Sequence, residues 1–333
     1  MITRAAILGT GSWGTSLACL LANKLDEVCL IGRNQKTADE INDQHSNHHY
    51  IPNLSLAPNI VATTDMKRAS DYPLILFVVP TSATESTSQQ LASIGIPKQV
   101  ILVSCAKGIS SDGERMSQII HRHLPDNPLA VLSGPNHAEE VSRNLATRAV
   151  IGAEDRQLRE QLQDVFNCNF FRCYTSDDIA GIELGGAIKN VFSIAAGIAD
   201  GIGLGDNAIA ALVTRGLAEM TRLGIKLGAN PQTLGGLAGL GDLILTCTST
   251  NSRNYSLGIA LGEGGQDANA ADIMASRRSV SEGALSAPAL IELATKHQVE
   301  MPICKAIADI VAGHVSVDMA ISQLLARPFT SEI

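Results

Sequence analysis

The first half of the chain repeats one pattern: a short apolar run, a break rich in Gly, Pro or Ser, and then a helical segment. Strands that are apolar along their whole length and separated by helices form parallel sheets covered on both faces. The pattern therefore predicts a doubly wound, Rossmann-like α/β domain. Its strands are expected at residues 5–9, 27–33, 60–64, 74–80, 100–106 and 129–135.

Two further β-rich runs, residues 148–154 and 170–176, bracket a helix-like segment, and we expect them to extend the sheet or form its edge. From about residue 178 the strand pattern ends and helical segments rich in small residues follow. A length of 333 residues also favours two domains. We predict an α/β domain over residues 1–184 and an all-helical domain over residues 185–333, with helices at 180–199, 206–227, 231–238, 253–262, 284–297 and 302–312.

The composition changes this picture little. A net charge of -8 and the lack of any Lys/Arg-rich run give no electrostatic footprint for nucleic acid or an anionic membrane. No stretch of about 18 uncharged apolar residues exists, because Glu183, Lys189 and Asp200 interrupt the nearest candidate. No signal peptide is visible at the N-terminus. We therefore expect a cytoplasmic protein that does not insert into membranes.

Cysteine and histidine usage does not indicate a metal. The seven cysteines are scattered without a C-x-x-C pair, which is typical of buried or incidental thiols. The histidine-rich stretch "HSNHHY", residues 45–50, is interpreted as a surface loop rather than a metal site.

The stretch "AAILGTGSWGTSLACLL" carries Gly9, Gly11 and Gly14 in G-x-G-x-x-G spacing, directly after a strand and at the start of a helix. In this context Gly9 permits a tight turn, Gly11 lets the backbone approach a pyrophosphate, and Gly14 lets the helix pack close to the strand. The free N–H groups at the helix start would bind the phosphates. The motif predicts a dinucleotide cofactor.

The second strand ends in "IGRN", at the position where NAD-specific enzymes usually present an acidic residue to the ribose 2'-hydroxyl. Arg33 stands here instead and can accommodate a 2'-phosphate. NADP is therefore favoured, while use of NAD stays open, since Arg33 could also cover the adenine or lie in solvent.

Polar residues follow two neighbouring strands. Lys107 comes after the strand in "VSCAKGI", and Gly134, Asn136 and Ala138 come after the next one in "LSGPNHA". Ligands of open α/β sheets bind outside the carboxyl ends of the strands. We expect Lys107 to meet substrate there; the alternative is an ordinary solvent-facing lysine.

Lys189 lies in "GGAIKN", within the most apolar part of the chain. On a helix its neighbours are Gly185, Gly186 and Ser193, which are too small to cover it, so we expect room for a ligand. Desolvation would lower the pKa of this lysine toward the range useful for proton transfer. The alternative is a structural ion pair with one of three aspartates, Asp200, Asp206 or Asp242.

The stretch "GLAGLGDLILTCTSTNSRNYSLG" presents a carboxylate, hydroxyls, a guanidinium and an amide. Asp242 follows a glycine-rich turn, and Ser252, Arg253 and Asn254 end the polar run. Such groups suit a small polyol phosphate, because Arg and helix-start N–H groups bind phosphate oxygens well. Taken alone, "NSRN" would be a helix N-cap.

Together these residues resemble one family, the NAD(P)H-dependent sn-glycerol-3-phosphate dehydrogenases of the bacterial type. The resemblance covers essentially the whole chain. It implies reversible reduction of dihydroxyacetone phosphate to sn-glycerol 3-phosphate, the backbone precursor of phospholipids. It rests on the ordered set "GTGSWGTSLA", "CAKGI", "LSGPNHAEEV", "ELGGAIKNVFSIAAGIADG", "RGLAEMTRLG", "GLAGLGDLILTCTS", "SRN" and "SEG".

The resemblance also implies roles for individual residues. Lys189 matches the family's proton acceptor. The matched substrate contacts are Lys107, Gly134, Asn136, Lys189, Asp242, Ser252, Arg253 and Asn254. Besides the three motif glycines, the matched cofactor contacts are Ser12, Trp13, Arg33, Lys107, Ala138, Arg253, Val280 and Glu282. Asn136 departs from the Ser or Thr of many bacterial members, although an asparagine can still donate to a phosphate or hydroxyl.

The expected mechanism is hydride transfer between the nicotinamide and the keto carbon, with Lys189 transferring the proton. Two rival functions stay open. A β-hydroxyacid dehydrogenase shares this architecture and an inward lysine but needs a carboxylate clamp, whereas a non-catalytic dinucleotide sensor needs no proton donor. The sequence does not fix the oligomeric state; a homodimer is the assembly we consider.

Overall fold

The computed structural model describes residues 1–265, 270–277 and 281–328. Contacts divide the chain into two compact units. The first comprises Met1–Lys107 and Glu114–Glu183, and the second comprises Gly108–Gly113 and the chain from Leu184 onward. No pattern in the sequence indicates that residues 108–113 group with the second unit. Domain bounds at 1–184 and 185–333 stay a prediction.

The first unit contains one eight-stranded sheet with the order β3-β2-β1-β4-β5-β6-β7-β8. All six strands predicted for the doubly wound sheet are present, and they pair in parallel. The strands are β1 (Arg4–Leu8), β2 (Glu27–Ile31), β3 (Ile60–Thr63), β4 (Leu74–Phe77), β5 (Ile101–Ser104), β6 (Leu129–Ser133), β7 (Thr147–Gly152) and β8 (Phe171–Ser176).

The two additional β-rich runs form β7 and β8 and extend the sheet to its edge. The strand β7 pairs antiparallel with β6, so the sheet is mostly, not entirely, parallel. An antiparallel neighbour needs no long crossover connection, and the link from β6 to β7 carries only one short helix. The pair β7–β8 is again parallel and is joined by a helix.

Helices cover both faces of this sheet. Because successive side chains of a strand point to opposite faces, Ile7 and Leu30 belong to one apolar core, whereas Leu8 and Ile31 belong to the other. The helices of the first unit are α1 (Ser12–Ala22), α2 (Gln35–Gln44), α3 (Thr84–Ile94), α4 (Met116–His123), α5 (Ala138–Ser142) and α6 (Arg156–Phe166).

The described part of the second unit is helical, as predicted. Three of its helices, α10, α12 and α15, were not predicted; α10 and α12 are too short to show a clear helical period. The helices are α7 (Ile179–Gly201), which begins in the first unit, α8 (Asp206–Lys226), α9 (Pro231–Leu234), α10 (Asp242–Cys247), α11 (Arg253–Gly264), α12 (Ala270–Ser276), α13 (Glu282–Lys296), α14 (Pro302–Val311) and α15 (Val317–Leu325). A π-helical turn, Leu237–Gly241, precedes α10.

The helix α7 is the central element of the second unit. It is long and apolar enough to cross a membrane, but 89% of its most apolar window is buried inside the protein, as in a core helix. A Cβ atom on Gly197 would collide with the carbonyl oxygen of Tyr255, and one on Gly258 with that of Ile194. These small residues therefore let α11 pack directly on the backbone of α7.

Candidate active site

The turn from β1 into α1 has the geometry that its glycines predict. Gly9 has a φ of +121°, in the region that favours glycine. A Cβ on Gly14 would collide with the carbonyl oxygen of Gly9, whereas a Cβ on Gly11 would meet nothing within 4 Å. The helix thus packs tightly on the strand while Gly11 faces open space. This packing supports the assignment of these glycines to a dinucleotide, which stays a prediction.

The start of α1 offers hydrogen-bond donors. Its N-cap, Gly11, provides no side chain to satisfy the first backbone N–H groups. The indole Nε1 of Trp13 is buried and has no acceptor among the described residues. The hydroxyl of Ser12 donates to the carbonyl oxygen of Tyr50 at 3.0 Å. An electropositive helix start with unused donors fits the phosphates of NAD(P).

The histidine-rich loop after α2 supports this turn. Asn47 is 1% exposed, and its amide donates to the carbonyl oxygen of Thr10 at 2.9 Å and to the hydroxyl of Thr15 at 2.8 Å. His48 and His49 are exposed. The loop lies at the surface, as interpreted, and Asn47 is its buried supporting residue, which nothing in its local sequence distinguished.

Arg33 follows the end of β2 and is exposed. The next residue, Asn34, caps α2 by accepting the N–H of Lys36 at 2.9 Å. Within the described chain no carboxylate forms an ion pair with Arg33, so its guanidinium suits an external anion. Its predicted contact with a 2'-phosphate remains a prediction.

The residues after β5 and β6 lie together. Lys107 donates from Nζ to the carbonyl oxygen of Gly134 at 2.7 Å. The amide nitrogen of Asn136 donates to the carbonyl oxygen of Arg148 at 2.9 Å. Ala138 begins α5, and its carbonyl oxygen accepts the hydroxyl of Ser16 in α1 at 2.6 Å.

In the second unit, Lys189 forms a buried network. Its Nζ donates to Oδ1 of Asp242 and to Oγ1 of Thr246, each at 2.5 Å. The side chains of Lys189 and Asp242 are only 7% and 1% exposed. Thr246 in turn donates to the backbone carbonyl of Asp242 at 2.6 Å. Of the three aspartates considered as structural partners, Asp242 is the one that pairs.

The expected clearance beside Lys189 is wrong at Gly185. A Cβ there would lie 2.5 Å from the carbonyl oxygen of Ala238. Gly185 therefore lets the π-helical turn Leu237–Gly241 pack against α7, and this approach places Asp242 next to Lys189. The lowered pKa predicted for Lys189 assumed apolar surroundings and stays a prediction.

A second polar network joins the start of α11 to α7 and α13. The amide nitrogen of Asn254 donates to Oδ1 of Asn190 at 3.1 Å, and Oδ1 of Asn254 accepts the N–H of Gly283 at 3.0 Å. Ser252 caps α11 by accepting the N–H of Tyr255 at 3.2 Å. Its hydroxyl also lies 3.1 Å from that of Ser193.

Three predicted contacts, Arg253, Glu282 and Val280, take no part in the hydrogen bonds described above. Arg253 is exposed at the first position of α11. Glu282 is half-buried and begins α13. Val280 lies outside the described residues, so its assignment to the cofactor stays a prediction.

Sequence reasoning assigned no polar contact to three members of these networks, Thr246, Ser193 and Asn190. Thr246 had a usable signal, because on a helix it lies one turn after Asp242 and on the same face. The neighbouring Cys247 is not a reactive group, since burial raises its pKa to about 12.

Two family models match the chain. The model for the N-terminus of NAD-dependent glycerol-3-phosphate dehydrogenase matches residues 4–159, and the model for the C-terminus matches residues 178–322. The chain belongs to this family. The family expected from the ordered motifs is thus confirmed, and so are its Rossmann-like and helical fold and its NAD(P) cofactor class.

Individual relatives agree. The chain is 45% identical over 333 residues to a glycerol-3-phosphate dehydrogenase [NAD(P)+] of Erythrobacter litoralis, covering 100% of this chain and 98% of the relative. It is 42% identical to the protein of the same name from Bacillus subtilis, covering 99% and 96%. The crystal structure of glycerol-3-phosphate dehydrogenase from Coxiella burnetii superposes with a TM-score of 0.92 at 36% identity, covering 98% of this chain and 99% of that one.

Proposed function

We propose that this protein catalyses the reversible reduction of dihydroxyacetone phosphate to sn-glycerol 3-phosphate with NAD(P)H, supplying glycerophospholipid synthesis in the cytoplasm. The observation that carries the proposal is the buried Lys189 network in a chain of this family. An ammonium held by Asp242 and Thr246 at 2.5 Å each has a fixed position for proton transfer.

The first unit would hold the cofactor. The turn Gly9, Gly11 and Gly14 and the N–H groups at the start of α1 would bind the pyrophosphate, with Ser12, Trp13 and Ala138 nearby. Arg33 would pair with a 2'-phosphate, which favours NADPH over NADH. When bound, the nicotinamide supplies the hydride.

Lys189 would give a proton to the oxygen of the keto group, or accept it from the alcohol in the reverse direction. Proton transfer by a positioned side chain contributes typically about 10²- to 10⁴-fold to rate. Asp242 and Thr246 would hold Nζ in place and keep the ammonium paired. The alkoxide charge that develops on substrate would also be stabilised by Lys107.

The substrate phosphate would be bound at the start of α11. This twelve-residue helix begins at Arg253, and Ser252 and Asn254 flank its first N–H groups. A guanidinium and helix-start N–H groups are strong phosphate ligands. Gly134 and Asn136 would complete the substrate contacts, while Glu282 and Val280 would contact the cofactor.

We also propose that the protein works on this small molecule without nucleic acid or membrane insertion, as a homodimer. Size-exclusion chromatography with light scattering tests the assembly; a monomer at assay concentration would refute it.

The function itself is tested by steady-state oxidation of NADPH and NADH with dihydroxyacetone phosphate and, separately, with β-keto acids. We expect turnover with dihydroxyacetone phosphate but not with the β-keto acids, and a higher kcat/KM with NADPH than with NADH. The variant Arg33→Ala should lower kcat/KM for NADPH far more than for NADH. Turnover of keto acids by the folded protein, or dinucleotide binding without any turnover, would refute the proposal in favour of the two rivals.

A further inference from the structure

The segment Gly108–Gly113, here called the strap, interrupts the first unit in sequence but belongs to the second unit. Ile109 is 4% exposed and is a member of the apolar core of the second unit. Gly113 has a φ of +78°, and a Cβ on it would lie 2.8 Å from Cγ of Leu293, a residue of α13 that packs against the same core. Ile109 and Gly113 therefore fix the strap within the second unit.

The chain returns from the strap to the first unit at a fixed point. The buried carboxylate of Glu183 accepts the guanidinium of Arg115 at 2.8 Å, the N–H of Ser117 at 2.8 Å and the hydroxyl of Ser117 at 2.5 Å. All three residues belong to the first unit, and Arg115 lies two residues after the strap. A buried carboxylate with three donors is well satisfied, so this end of the strap is firmly held.

Lys107 directly precedes the strap. Its Cα lies at most about 7 Å from that of Ile109, because only one residue separates them. At its other end, the ammonium donates to the carbonyl oxygen of Gly134 at 2.7 Å. The position of Lys107 thus depends on a side-chain hydrogen bond in the first unit and on a main-chain link to the strap.

The core that holds Ile109 also holds the helix of the second lysine. Ile188 and Val191 of α7 are fully buried members of this core, and Ile188 directly precedes Lys189. The main chains of Lys107 and Lys189 are therefore attached to one apolar core, through two residues and one residue respectively. Because packed interiors deform little, this core restrains both lysines.

We infer that Ile109 is a positioning residue, which anchors the strap in the core and thereby sets the position of Lys107 for the reaction. The inference rests on the proposed function, in which Lys107 stabilises the charge on the substrate oxygen that receives the proton from Lys189. Ile109 is buried and acts only through Lys107. A misplacement of about 1 Å can lower a rate by about 10²-fold, so the anchor should affect turnover.

The test lengthens the link without removing the anchor, by inserting one glycine between Lys107 and Gly108. The insertion adds up to about 3.5 Å of chain and leaves Ile109 unchanged. At saturating NADPH, kcat for dihydroxyacetone phosphate should fall by about 10- to 100-fold, with KM within about threefold and Tm near that of wild type. The KM should hold because the alkoxide charge develops only in the transition state.

Substitutions of the anchor should give the same loss of turnover. Ile109→Ala should lower kcat as the insertion does and should also lower Tm, because it leaves a cavity in the core. Ile109→Val keeps most of the side chain and should recover most of the activity. Fluorescence of Trp13, the single tryptophan of the sequence, reports whether each variant still folds and binds NADPH.

A matched control is Ile307→Ala. Ile307 is 3% exposed and belongs to the same core, but it lies in α14, far in sequence from either lysine. This control should lower Tm about as much as Ile109→Ala and keep kcat within about threefold, with every variant assayed well below its Tm.

The variant Lys107→Met shows whether the strap acts through the lysine. Its kcat should fall at least as far as that of the insertion variant. Adding the insertion to Lys107→Met should then change kcat by less than about threefold, because the group that the strap positions is already absent.

Three results would overturn the inference: wild-type kcat in the insertion variant, an equal fall in kcat in Ile307→Ala, or a full further loss when the insertion is added to Lys107→Met. If folded wild type does not turn over dihydroxyacetone phosphate, the proposed function itself has failed, and the two failures are thus distinguishable.

Discussion

The glycine turn of the first unit and the lysine network of the second differ in what builds them. The turn is built mainly from backbone: Gly9 and Gly14 are required by contacts between main-chain atoms, and the side chain of Asn47 supports it through the carbonyl oxygen of Thr10. The network is made of side chains, and Lys189 depends on partners 53 and 57 residues away in sequence. The spacing of the turn's glycines is visible in the local sequence, whereas the distant partners of the buried charge are not.

This difference predicts different sensitivities. An added Cβ should be the main disturbance of the turn, whereas loss of a polar partner should be the main disturbance of the network. The free energy of unfolding, cofactor affinity and turnover measure these sensitivities separately.

The largest effect on stability is expected from Asp242→Asn. The change leaves the buried Lys189 ammonium without its carboxylate, and breaking a buried ion pair costs about 3–5 kcal/mol of the free energy of unfolding. Urea denaturation measures it. The control is Asp309→Asn. Asp309 pairs with Lys305 at 2.7 Å, and because the Lys305 side chain is 63% exposed, this ion pair should contribute less than about 1 kcal/mol to the free energy of unfolding. Equal losses in both variants would contradict the comparison.

Glu219, another buried carboxylate of the second unit, gives a further test of the comparison. Glu219 is 2% exposed and accepts the N–H groups of Ile303 at 2.9 Å and Cys304 at 3.2 Å at the start of α14. Burial raises its pKa to about 7, a rise that these two hydrogen bonds and the charges of Arg222 and Arg327 oppose.

Because this pKa lies above the usual 4.5, the folded protein binds the proton more tightly than the unfolded chain. The stabilisation is complete below about pH 4.5 and is lost as the pH rises toward 7, by on the order of 2–3 kcal/mol. Measured against Glu219→Gln, wild type should lose this much between these pH values. A difference that does not change with pH would refute the effect.

In the glycine turn, Gly14→Ala and Gly11→Ala should behave differently. The first sets a Cβ against the carbonyl oxygen of Gly9 and should lower stability by about 1–3 kcal/mol and weaken NADPH binding. The second meets no protein atom within 4 Å, so it should weaken NADPH binding alone. Thermal unfolding and Trp13 fluorescence measure the two properties. An equal fall in Tm for both would contradict the assignment.

The smallest effect is expected from Asn190→Ala. Oδ1 of Asn190 accepts a hydrogen bond from the amide of Asn254 at 3.1 Å. Because the variant loses this hydrogen bond, KM for dihydroxyacetone phosphate should rise by about 3- to 10-fold, while kcat should stay nearly unchanged. Asn190 would then be a positioning residue. A fall in kcat with an unchanged KM would show that it acts on the reacting atoms instead.

The same difference explains what could be predicted from sequence. Continuous apolar runs located the first six strands, because burial on both faces leaves a local pattern, and two β-rich runs located β7 and β8, although β8 exposes alternate residues. The antiparallel direction of β7 depends on how a short link turns. Gly185 was misinterpreted because a missing side chain suits ligand clearance and helix packing equally well. Asp242 was found, but its pairing with Lys189 depends on the π-helical turn, which leaves no periodic signal.

The central claim is that cofactor binding and proton transfer depend on separate sets of residues. The variant Lys189→Ala tests this claim most directly. Its kcat and its Kd for NADPH are measured on the same preparation. The account predicts a kcat lowered by about 10²- to 10⁴-fold, with Trp13 fluorescence reporting an unchanged Kd. Full activity in the variant, or loss of NADPH binding in step with turnover, would contradict it.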